Sequence, residues 1–406
     1  MGNYWLFKKE NLFARIAIGF AIGILLGLFA PDLSISIKLI GDVYLRVIKL
    51  MVLPVLICAV MTGIINSANI VSLRRVAVKT VVLFFVMFLA SFAVSAAVAL
   101  AIRPGQGIVF ENRPVYDGTT AGKLSAGDVL RQLFPSSLAD IFSSKNILAA
   151  VVLAIILSVV IVRLGEKAEP VRDFINRLSD VVFRILSVIM ETSPVGVMSL
   201  IAFSIAQYGV GLFMAIGRYI LCCWLACIAV FIIVFMLPVL LYAKTDPKTY
   251  LRACGRVALM TLSTTSSAAT LPTTIRVSTR DLGVPEDISS FILPLGCTIN
   301  MCGGACSFCC LACFVDEFYS LSLPFTQLAA MALVAALLNM AAPGIPGGGI
   351  VLMTSFLTIF GLPIDLIGPV AAFYRLLDMA FTTINVEGDV AANLIIAKSE
   401  ANVLQS

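Results

Sequence analysis

Long apolar runs separated by short polar segments dominate the chain. The runs Thr80 to Ile102, Tyr219 to Ala243 and Ile288 to Val315 contain no charged residue. Each reaches the ~20 residues that a helix needs to cross the hydrocarbon core of a bilayer. The pattern predicts an all-α polytopic membrane protein. Its eight transmembrane helices are predicted at about 12–30, 36–66, 77–102, 146–162, 178–207, 212–243, 287–314 and 366–397.

Two segments do not fit the pattern of a simple span. The segment 249–275 has a polar run, Ser263 to Ser267, at its centre, and the segment 322–364 has Pro343 to Gly349 at its centre. We predict two re-entrant helical hairpins, because irregular backbone inside a membrane is tolerated only against protein or a water-filled cavity. A full span follows each hairpin, and the two enter from opposite sides, which is typical of inverted-repeat transporters. The alternative is two kinked ordinary spans, which would place charged loops on the wrong side.

Composition agrees with a membrane protein. Charged residues make up 13% of the chain and hydrophobic residues 60%, against roughly 25% charged residues in a soluble domain. The chain has no histidine, which excludes histidine-ligated metal sites and histidine proton relays. Five of the eleven cysteines lie between Cys302 and Cys313, and we interpret them as small apolar packing residues rather than metal or redox groups.

The distribution of lysine and arginine predicts the orientation. Basic residues concentrate in the segments that lie on the side of the N-terminus, which places both termini in the cytoplasm of a plasma (inner) membrane. The polar segment 103–145 is predicted to be an extracellular loop. We interpret the first apolar stretch as a retained span and not as a signal peptide, because no small-residue cleavage site follows it.

Polar residues recur on one face of the last predicted span. Asp378, Thr382, Asn385 and Asp389 fall within a sector of roughly 60° on a helix, whereas Glu387 points the other way. A charge at the bilayer centre costs about 3 kcal/mol or more, so these side chains are expected to face the protein interior. They form either a ligand site or polar contacts between helices.

The span 287–314 and the first hairpin also carry groups that suit ligand binding. Gly303 and Gly304 next to Asn300 favour local unwinding, which frees backbone carbonyls that suit Na⁺. The helix N-terminus at Ser266 and Ser267 offers N–H groups and hydroxyls that suit a carboxylate. No base near these serines would activate a nucleophile, so we do not expect an enzyme.

Four motifs resemble one transporter family. They are TTSSAATLP (264–272), PLGCTINMCGG (294–304), GIPGGGI (344–350) and LDMAFTTINVEGDVAANLIIAK (377–398). Over essentially the whole chain the sequence resembles the dicarboxylate/amino acid:cation symporters, also called the glutamate transporter family. The resemblance implies a homotrimer in lipid, with a static scaffold and a transport domain that slides as an elevator. It assigns 1–75 and 146–207 to the scaffold, and 76–102 and 212–406 to the transport domain.

The resemblance also implies a binding site. Asp378 would hold a substrate amino group, and Ser267 with the backbone of Ile345 and Gly349 would hold its carboxylate. The implied substrate contacts are Ser266, Ser267, Gly304, Ile345, Gly349, Asp378, Phe381, Thr382 and Asn385. One Na⁺ would lie between Gly296, Asn300, Asn385 and Asp389, and a second would lie between main-chain oxygens of Thr298, Met301 and the segment Asn339 to Ala342.

Departures from the family pattern refine this expectation. Phe381 stands where acidic-substrate members place an arginine, which favours a neutral amino acid because a buried carboxylate would lose its bidentate partner. Arg375 lies about two helical turns from Phe381, and it stays open whether Arg375 replaces that arginine. It is expected either near a third Na⁺ site, as a tethered cation, or in a salt bridge with Asp378.

The side chains of the family's third Na⁺ site are replaced together. Cys302 stands in place of an acid, and Phe84, Met87 and Phe88 stand in place of hydroxyl-bearing residues. We therefore expect one or two Na⁺ ions and no third site.

The sequence predicts Na⁺-coupled uptake of a small neutral amino acid such as serine, threonine or alanine. Two alternatives stay open. One is a Na⁺- or H⁺-coupled symporter for C4-dicarboxylates or acidic amino acids. The other is a channel or substrate sensor on a transporter fold.

Overall fold

The computed structural model describes residues 12–66, 74–106, 147–209, 211–339 and 348–404, and every regular element in these ranges is helical. The helices are α1 (Leu12–Phe29), α2 (Pro31–Ser36), α3 (Lys38–Asn66), α4 (Arg74–Ile102), α5 (Ile147–Leu164), α6 (Glu169–Glu191), α7 (Ser193–Tyr208), α8 (Gly211–Val230), α9 (Pro247–Thr264), α10 (Ser267–Arg276), α11 (Glu286–Ile299), α12 (Cys302–Tyr319), α13 (Phe325–Asn339), α14 (Gly348–Ile359) and α15 (Ile367–Leu404).

Several helices continue into tighter or wider turns. A 3₁₀ turn, Gly165–Ala168, joins α5 to α6. The π-helical stretches Phe231–Met236 and Val239–Ala243 extend α8, and Val277–Asp281 extends α10.

Four helical stretches of the described chain are long and apolar enough to cross a membrane. They are Pro31–Ile65, Arg75–Ile102, Met214–Ala243 and Glu286–Tyr319, and a bent pair, Val152–Glu191 with Ser193–Gln207, makes up to five. The apolar stretch Ala14–Phe29 is shorter. The helix α15 is continuous, but its apolar sequence is interrupted by four charged residues, Arg375, Asp378, Glu387 and Asp389. Over the described residues an all-helical membrane protein is confirmed, while the count of eight spans stays a prediction.

The predicted span 178–207 is not one straight helix. It lies within α6 and α7, which meet at Thr192 with a bend of 49°. Pro194 sits in the first turn of α7, and the residue before a proline is disfavoured in the helical conformation. The predicted span ran through the bend although the sequence there is polar, with Glu191, Thr192 and Ser193 before Pro194.

Hairpin 1, predicted at 249–275, is a helix–turn–helix in which α9 packs against α10. Asp246 caps α9 by accepting hydrogen bonds from the backbone N–H and the hydroxyl of Thr249, both at 2.9 Å, and these bonds lower the pKa of Asp246. The turn lies at Thr265, which has left-handed backbone angles (φ 48°, ψ 39°). Ser266 then caps α10 by accepting from the N–H of Ala269 at 3.2 Å.

Hairpin 2, predicted at 322–364, contains α13 and α14, which also pack against each other. The loop between them, residues 340–347, lies outside the described residues, and so do the predicted site residues Ile345 and Ala342.

The helices pack in two sets. In the first, α1 packs on α7, and α3 packs on α5, α6 and α7. Glycines at a spacing of four let α1 approach α7 closely, since a Cβ on Gly23 would lie 2.6 Å from the carbonyl oxygen of Met198. In the second set, α15 packs against α8, α9, α11 and α12, and α4 covers α8 and α12. The polar face of α15 is thereby enclosed by protein.

Candidate functional site

A cavity of about 60 Å³ lies where the tip of hairpin 1, the start of α12, α14 and α15 meet. A cavity needs roughly 10–15 Å³ to hold one water molecule, so this one has room for several water-sized groups. Its lining residues are Thr265, Ser267, Met301, Gly304, Ser307, Phe308, Asn339, Gly349, Leu352, Tyr374, Asp378, Phe381, Thr382 and Asn385.

The helix break predicted beside the cavity is present. α11 ends at Ile299 and α12 begins at Cys302. The two residues between them, Asn300 (φ −92°, ψ 75°) and Met301 (φ −103°, ψ 62°), leave the helical conformation. Interrupted helices of this kind present backbone carbonyls that ions and substrates can contact.

The glycines of this segment have a role different from the one expected. Gly303 and Gly304 are helical residues at the start of α12 and are not the unwound ones. A Cβ on Gly303 would collide with the carbonyl oxygen of Phe381, and a Cβ on Gly304 would collide with Oδ1 of Asn339. The glycines therefore let α12 lie directly against α15 and α13.

Asp378 is the charged group of the cavity. It is only 9% exposed, and its Oδ1 accepts hydrogen bonds from the hydroxyls of Thr382 at 3.3 Å and Tyr374 at 3.5 Å. Its carboxylate faces the interior, on the helix face that the sequence predicted. A buried carboxylate needs a charged or hydrogen-bonding partner, which a substrate ammonium group can supply.

Asp389 lies about three helical turns after Asp378 on α15, and it is not among the described residues that line the cavity. It is 1% exposed, and its Oδ1 accepts a hydrogen bond from Nδ2 of Asn300 at 2.9 Å. A Cβ on Gly296 would collide with the carboxylate of Asp389, so the backbone of Gly296 lies against it. Three residues of the first expected cation site are therefore neighbours, and their carbonyl and carboxylate oxygens are of the type that Na⁺ prefers.

Asn385 joins this region to the cavity. It lines the cavity, and its Oδ1 accepts from the N–H of Gly303 at 2.7 Å. The side chain of Asn385 thus fixes the start of α12, which leaves its backbone carbonyl as the group for the expected cation contact.

The second expected cation site is only partly described. The carbonyl of Met301 accepts hydrogen bonds from Nδ2 of Asn339 at 2.7 Å and from the N–H of Gly304 at 2.9 Å, so these residues are neighbours. The hydroxyl of Thr298 donates to the carbonyl of Leu295 at 3.0 Å. Ala342 lies outside the described residues.

Most of the expected substrate contacts line the cavity. They are Ser267, Gly304, Gly349, Asp378, Phe381, Thr382 and Asn385. Ser266 instead caps α10, and Ile345 is not described. The sequence reasoning missed Thr265, Ser307, Phe308, Leu352 and Tyr374. Helical spacing could have found Tyr374, because it lies one turn before Asp378.

Arg375 is placed differently from both expectations. Its Nη1 donates to the hydroxyl of Thr265, and its Nη2 donates to the carbonyl of Ser263 at 3.3 Å. Neither a salt bridge with Asp378 nor a position at the expected third Na⁺ site agrees with these bonds. The guanidinium belongs to the tip of hairpin 1 and is not among the described residues that line the cavity.

The residues expected to replace a third Na⁺ site are apolar and buried. Phe84, Met87 and Phe88 are almost fully enclosed. Cys302 is also buried and donates its S–H to Oδ1 of Asn300 at 3.3 Å. These side chains offer aromatic rings and sulfur in place of the oxygens that hold Na⁺.

The chain is similar to known transport proteins over nearly its whole length. A family model described as the sodium:dicarboxylate symporter family matches residues 12–399. The "Proton/glutamate-aspartate symporter" of Bacillus subtilis is 25% identical, over 97% of this chain and 95% of its own length. The "C4-dicarboxylate transport protein" of Pseudomonas fluorescens is 25% identical, over 96% and 89%. The "Neutral amino acid transporter B(0)" of Oryctolagus cuniculus is 31% identical, over 93% and 76%.

Proposed function

Because this chain belongs to the sodium:dicarboxylate symporter family, whose members are transporters and not enzymes, we propose that it couples Na⁺ entry to the uptake of a small neutral amino acid. Serine, threonine and alanine are the proposed substrates. One observation carries the proposal: among the described residues that line the cavity, Asp378 is the only one with a charged side chain.

The charge balance of the cavity favours a zwitterion. The carboxylate of Asp378 pairs with an ammonium group. The substrate carboxylate meets Ser267 and the first N–H groups of α10. A second substrate carboxylate would lie beside the ring of Phe381, which is 3% exposed, without the cation that such a buried group requires. Arg375 does not supply that cation, since its guanidinium is bonded to Thr265 and Ser263.

Na⁺ is the proposed coupling ion. Asp389, Asn300, Gly296 and the carbonyl of Asn385 form its first site, and Thr298, Met301 and the segment from Asn339 form a second. The buried apolar side chains of Phe84, Met87 and Phe88 support a stoichiometry below three Na⁺ per substrate.

The transport mechanism is proposed to be an elevator. Two observations support it: α1 to α3 pack with α5 to α7, and α4 packs with α8 and α12 around α15. The first set corresponds to the proposed scaffold and the second to the proposed transport domain. The protein is proposed to lie in the plasma membrane with both termini in the cytoplasm.

A homotrimer is proposed because the family resemblance implies one, and the surface of α6 supports it. One face of this helix carries exposed apolar side chains at alternating spacings of three and four, namely Val171, Phe174, Leu178, Val181, Ile185 and Val188. Charged residues follow beside them at Asp173, Arg177, Asp180 and Arg184. Such charges are costly against lipid, whereas an adjoining subunit or water accommodates them.

A second candidate is cation-coupled transport of acidic amino acids or C4-dicarboxylates. The names of the relatives from Bacillus subtilis and Pseudomonas fluorescens favour it, and the relative from Oryctolagus cuniculus favours the first candidate.

Uptake into proteoliposomes separates these candidates. The purified chain is reconstituted, an inward Na⁺ gradient is imposed, and accumulation of labelled serine, alanine, aspartate and succinate is measured. We expect accumulation of serine and alanine that disappears when choline replaces Na⁺. Accumulation of aspartate or succinate alone would refute the proposal, and dissipation of gradients without accumulation would indicate a channel.

A further inference from the structure

Ser307 places a hydroxyl on one wall of the cavity. It lies on α12, it is 5% exposed, and it lines the cavity. The other cavity-lining residues of α12 are Gly304 and Phe308, so this wall is apolar apart from that hydroxyl. Buried hydroxyls in proteins almost always have a hydrogen-bond partner.

Other buried serines inside helices satisfy their hydroxyls within the helix. Ser91, Ser95 and Ser158 each donate to the carbonyl four residues earlier, at 2.7, 2.7 and 2.6 Å. Ser307 makes no such bond, and its hydroxyl has no partner among the residues that the structure describes. The oxygen of Ser307 is not among the fully enclosed polar atoms without a partner in the described chain, and Ser307 lines the cavity. Its hydroxyl is therefore open to a hydrogen bond from a molecule bound in the cavity.

The other polar side chains of the cavity are either assigned to the substrate main chain or bonded within the protein. The bonded ones are Thr265 to Arg375, Asn339 to Met301, Tyr374 to Asp378 and Asn385 to Gly303. Asp378 and Thr382 lie on α15 at the proposed ammonium position, and Ser267 lies at the N-terminus of α10 at the proposed carboxylate position. Ser307 lies on a separate helix. Ser307 lies one helical turn after Gly303, and Gly303 packs against the backbone of Phe381. The side chain of a bound amino acid is what remains for it to contact.

We propose that Oγ of Ser307 hydrogen-bonds a hydroxyl on the substrate side chain, so that the carrier prefers serine and threonine to alanine. The inference rests on the proposed function and narrows its substrate class. A site built to bond a hydroxyl rejects the analogue that lacks it, because the protein group is then left unpaired. The net value of one neutral hydrogen bond corresponds to a preference of about 3- to 10-fold.

The test is the substitution Ser307→Ala in the full-length chain, with the KM for serine, threonine and alanine measured in proteoliposomes. We expect the KM for serine and threonine to rise about 3- to 10-fold, with the KM for alanine unchanged or lowered. Ser307→Thr retains a hydroxyl and should retain the preference for serine over alanine. Ser158→Ala, which removes a buried helical serine on α5, is the control and should leave all three values unchanged.

The ratio of the alanine and serine KM values is the decisive quantity, because it does not depend on how much protein folds. If Ser307→Ala abolishes transport, the same ratio is obtained from Na⁺-dependent binding of the two amino acids to the purified variant. An unchanged ratio overturns the inference and leaves the proposed function intact. If the parent protein accumulates aspartate or succinate but neither serine nor alanine, the proposed function fails and the inference fails with it.

Discussion

Arg375 on α15 reaches across to Thr265 at the tip of hairpin 1. The guanidinium donates to the hydroxyl of Thr265 and to the carbonyl of Ser263. A second link lies one turn before Thr265, within α9, where the hydroxyls of Thr261 and Thr383 are 2.8 Å apart. Hairpin 1 is thus tied to the helix that carries Asp378, and Thr265 is held in its left-handed conformation next to Ser267.

Replacing Arg375 by alanine should loosen this tip without removing any residue that lines the cavity. We expect the KM for serine to rise about tenfold, which corresponds to the loss of one charge-assisted hydrogen bond, with a smaller change in maximal rate. Uptake kinetics in proteoliposomes check this. Arg256→Ala is the matched control, because it breaks an exposed ion pair with Asp281, and such pairs contribute little. Equal effects of the two substitutions would contradict the role given to Arg375.

Replacing Phe381 by arginine should change the substrate class. The new guanidinium would offer a bidentate partner for a side-chain carboxylate, so aspartate should become an inhibitor of labelled serine uptake. Phe381→Met keeps an apolar side chain of similar size and should not admit aspartate. An inhibition profile that is the same for both variants would count against the charge argument for a neutral substrate.

Gly303 should tolerate no larger side chain. A Cβ there meets the backbone carbonyl of Phe381, which cannot rotate away, so Gly303→Ala should destabilise the protein by about 1–3 kcal/mol. Gly217→Ala is the control, because nothing lies within 4 Å of its Cβ position. Thermal unfolding of the purified variants should show a lower midpoint for Gly303→Ala and an equal or higher one for Gly217→Ala.

Asp389 should determine the response to Na⁺. Asp389→Asn keeps a side chain of the same shape but removes the charge beside Gly296 and Asn300, so half-maximal uptake should require about tenfold more Na⁺ or greater. Glu400→Gln, near the end of the same helix in a partly buried pair with Lys79, should leave the Na⁺ dependence unchanged. A shift of equal size in both variants would exclude Asp389 as a specific Na⁺ ligand.

The number of coupled ions gives an independent prediction. The buried apolar side chains at Phe84, Met87 and Phe88 lead us to expect fewer than three Na⁺ per amino acid. The reversal potential of substrate-dependent flux in proteoliposomes, measured at several Na⁺ gradients, gives this ratio. A value of three would refute the absence of a third site.

The sequence predicted those features that depend on local chemistry. The polar run around Thr265 and Ser266 marks the turn of hairpin 1, and the position next to Asn300 marks the break between α11 and α12. The first follows from a short-range rule, since an N-cap serine begins a helix. The break was predicted from Gly303 and Gly304 but falls at Asn300 and Met301 beside them. Helical periodicity predicted that Asp378 and Asp389 face the interior, but it did not predict that Glu387, on the opposite face of α15, is buried as well.

Features that depend on contacts between distant segments were beyond the sequence. Helical spacing gives the face on which Arg375 lies but not its reach to Thr265, which precedes it by 110 residues. The function of Gly303 was misjudged because the closeness of α12 to α15 is a property of packing. Ser307 was missed for the same reason, since only the convergence of several helices makes a lone hydroxyl part of a cavity.

The break between α11 and α12 places the proposed cation site and the proposed substrate cavity one peptide bond apart. Asn300 contacts the carboxylate of Asp389, while its neighbour Met301 lines the cavity. A rotation about either residue therefore alters both environments at once, and no relay through distant side chains is needed. By thermodynamic reciprocity, an ion that tightens solute retention at such a junction is itself retained more tightly by the same factor.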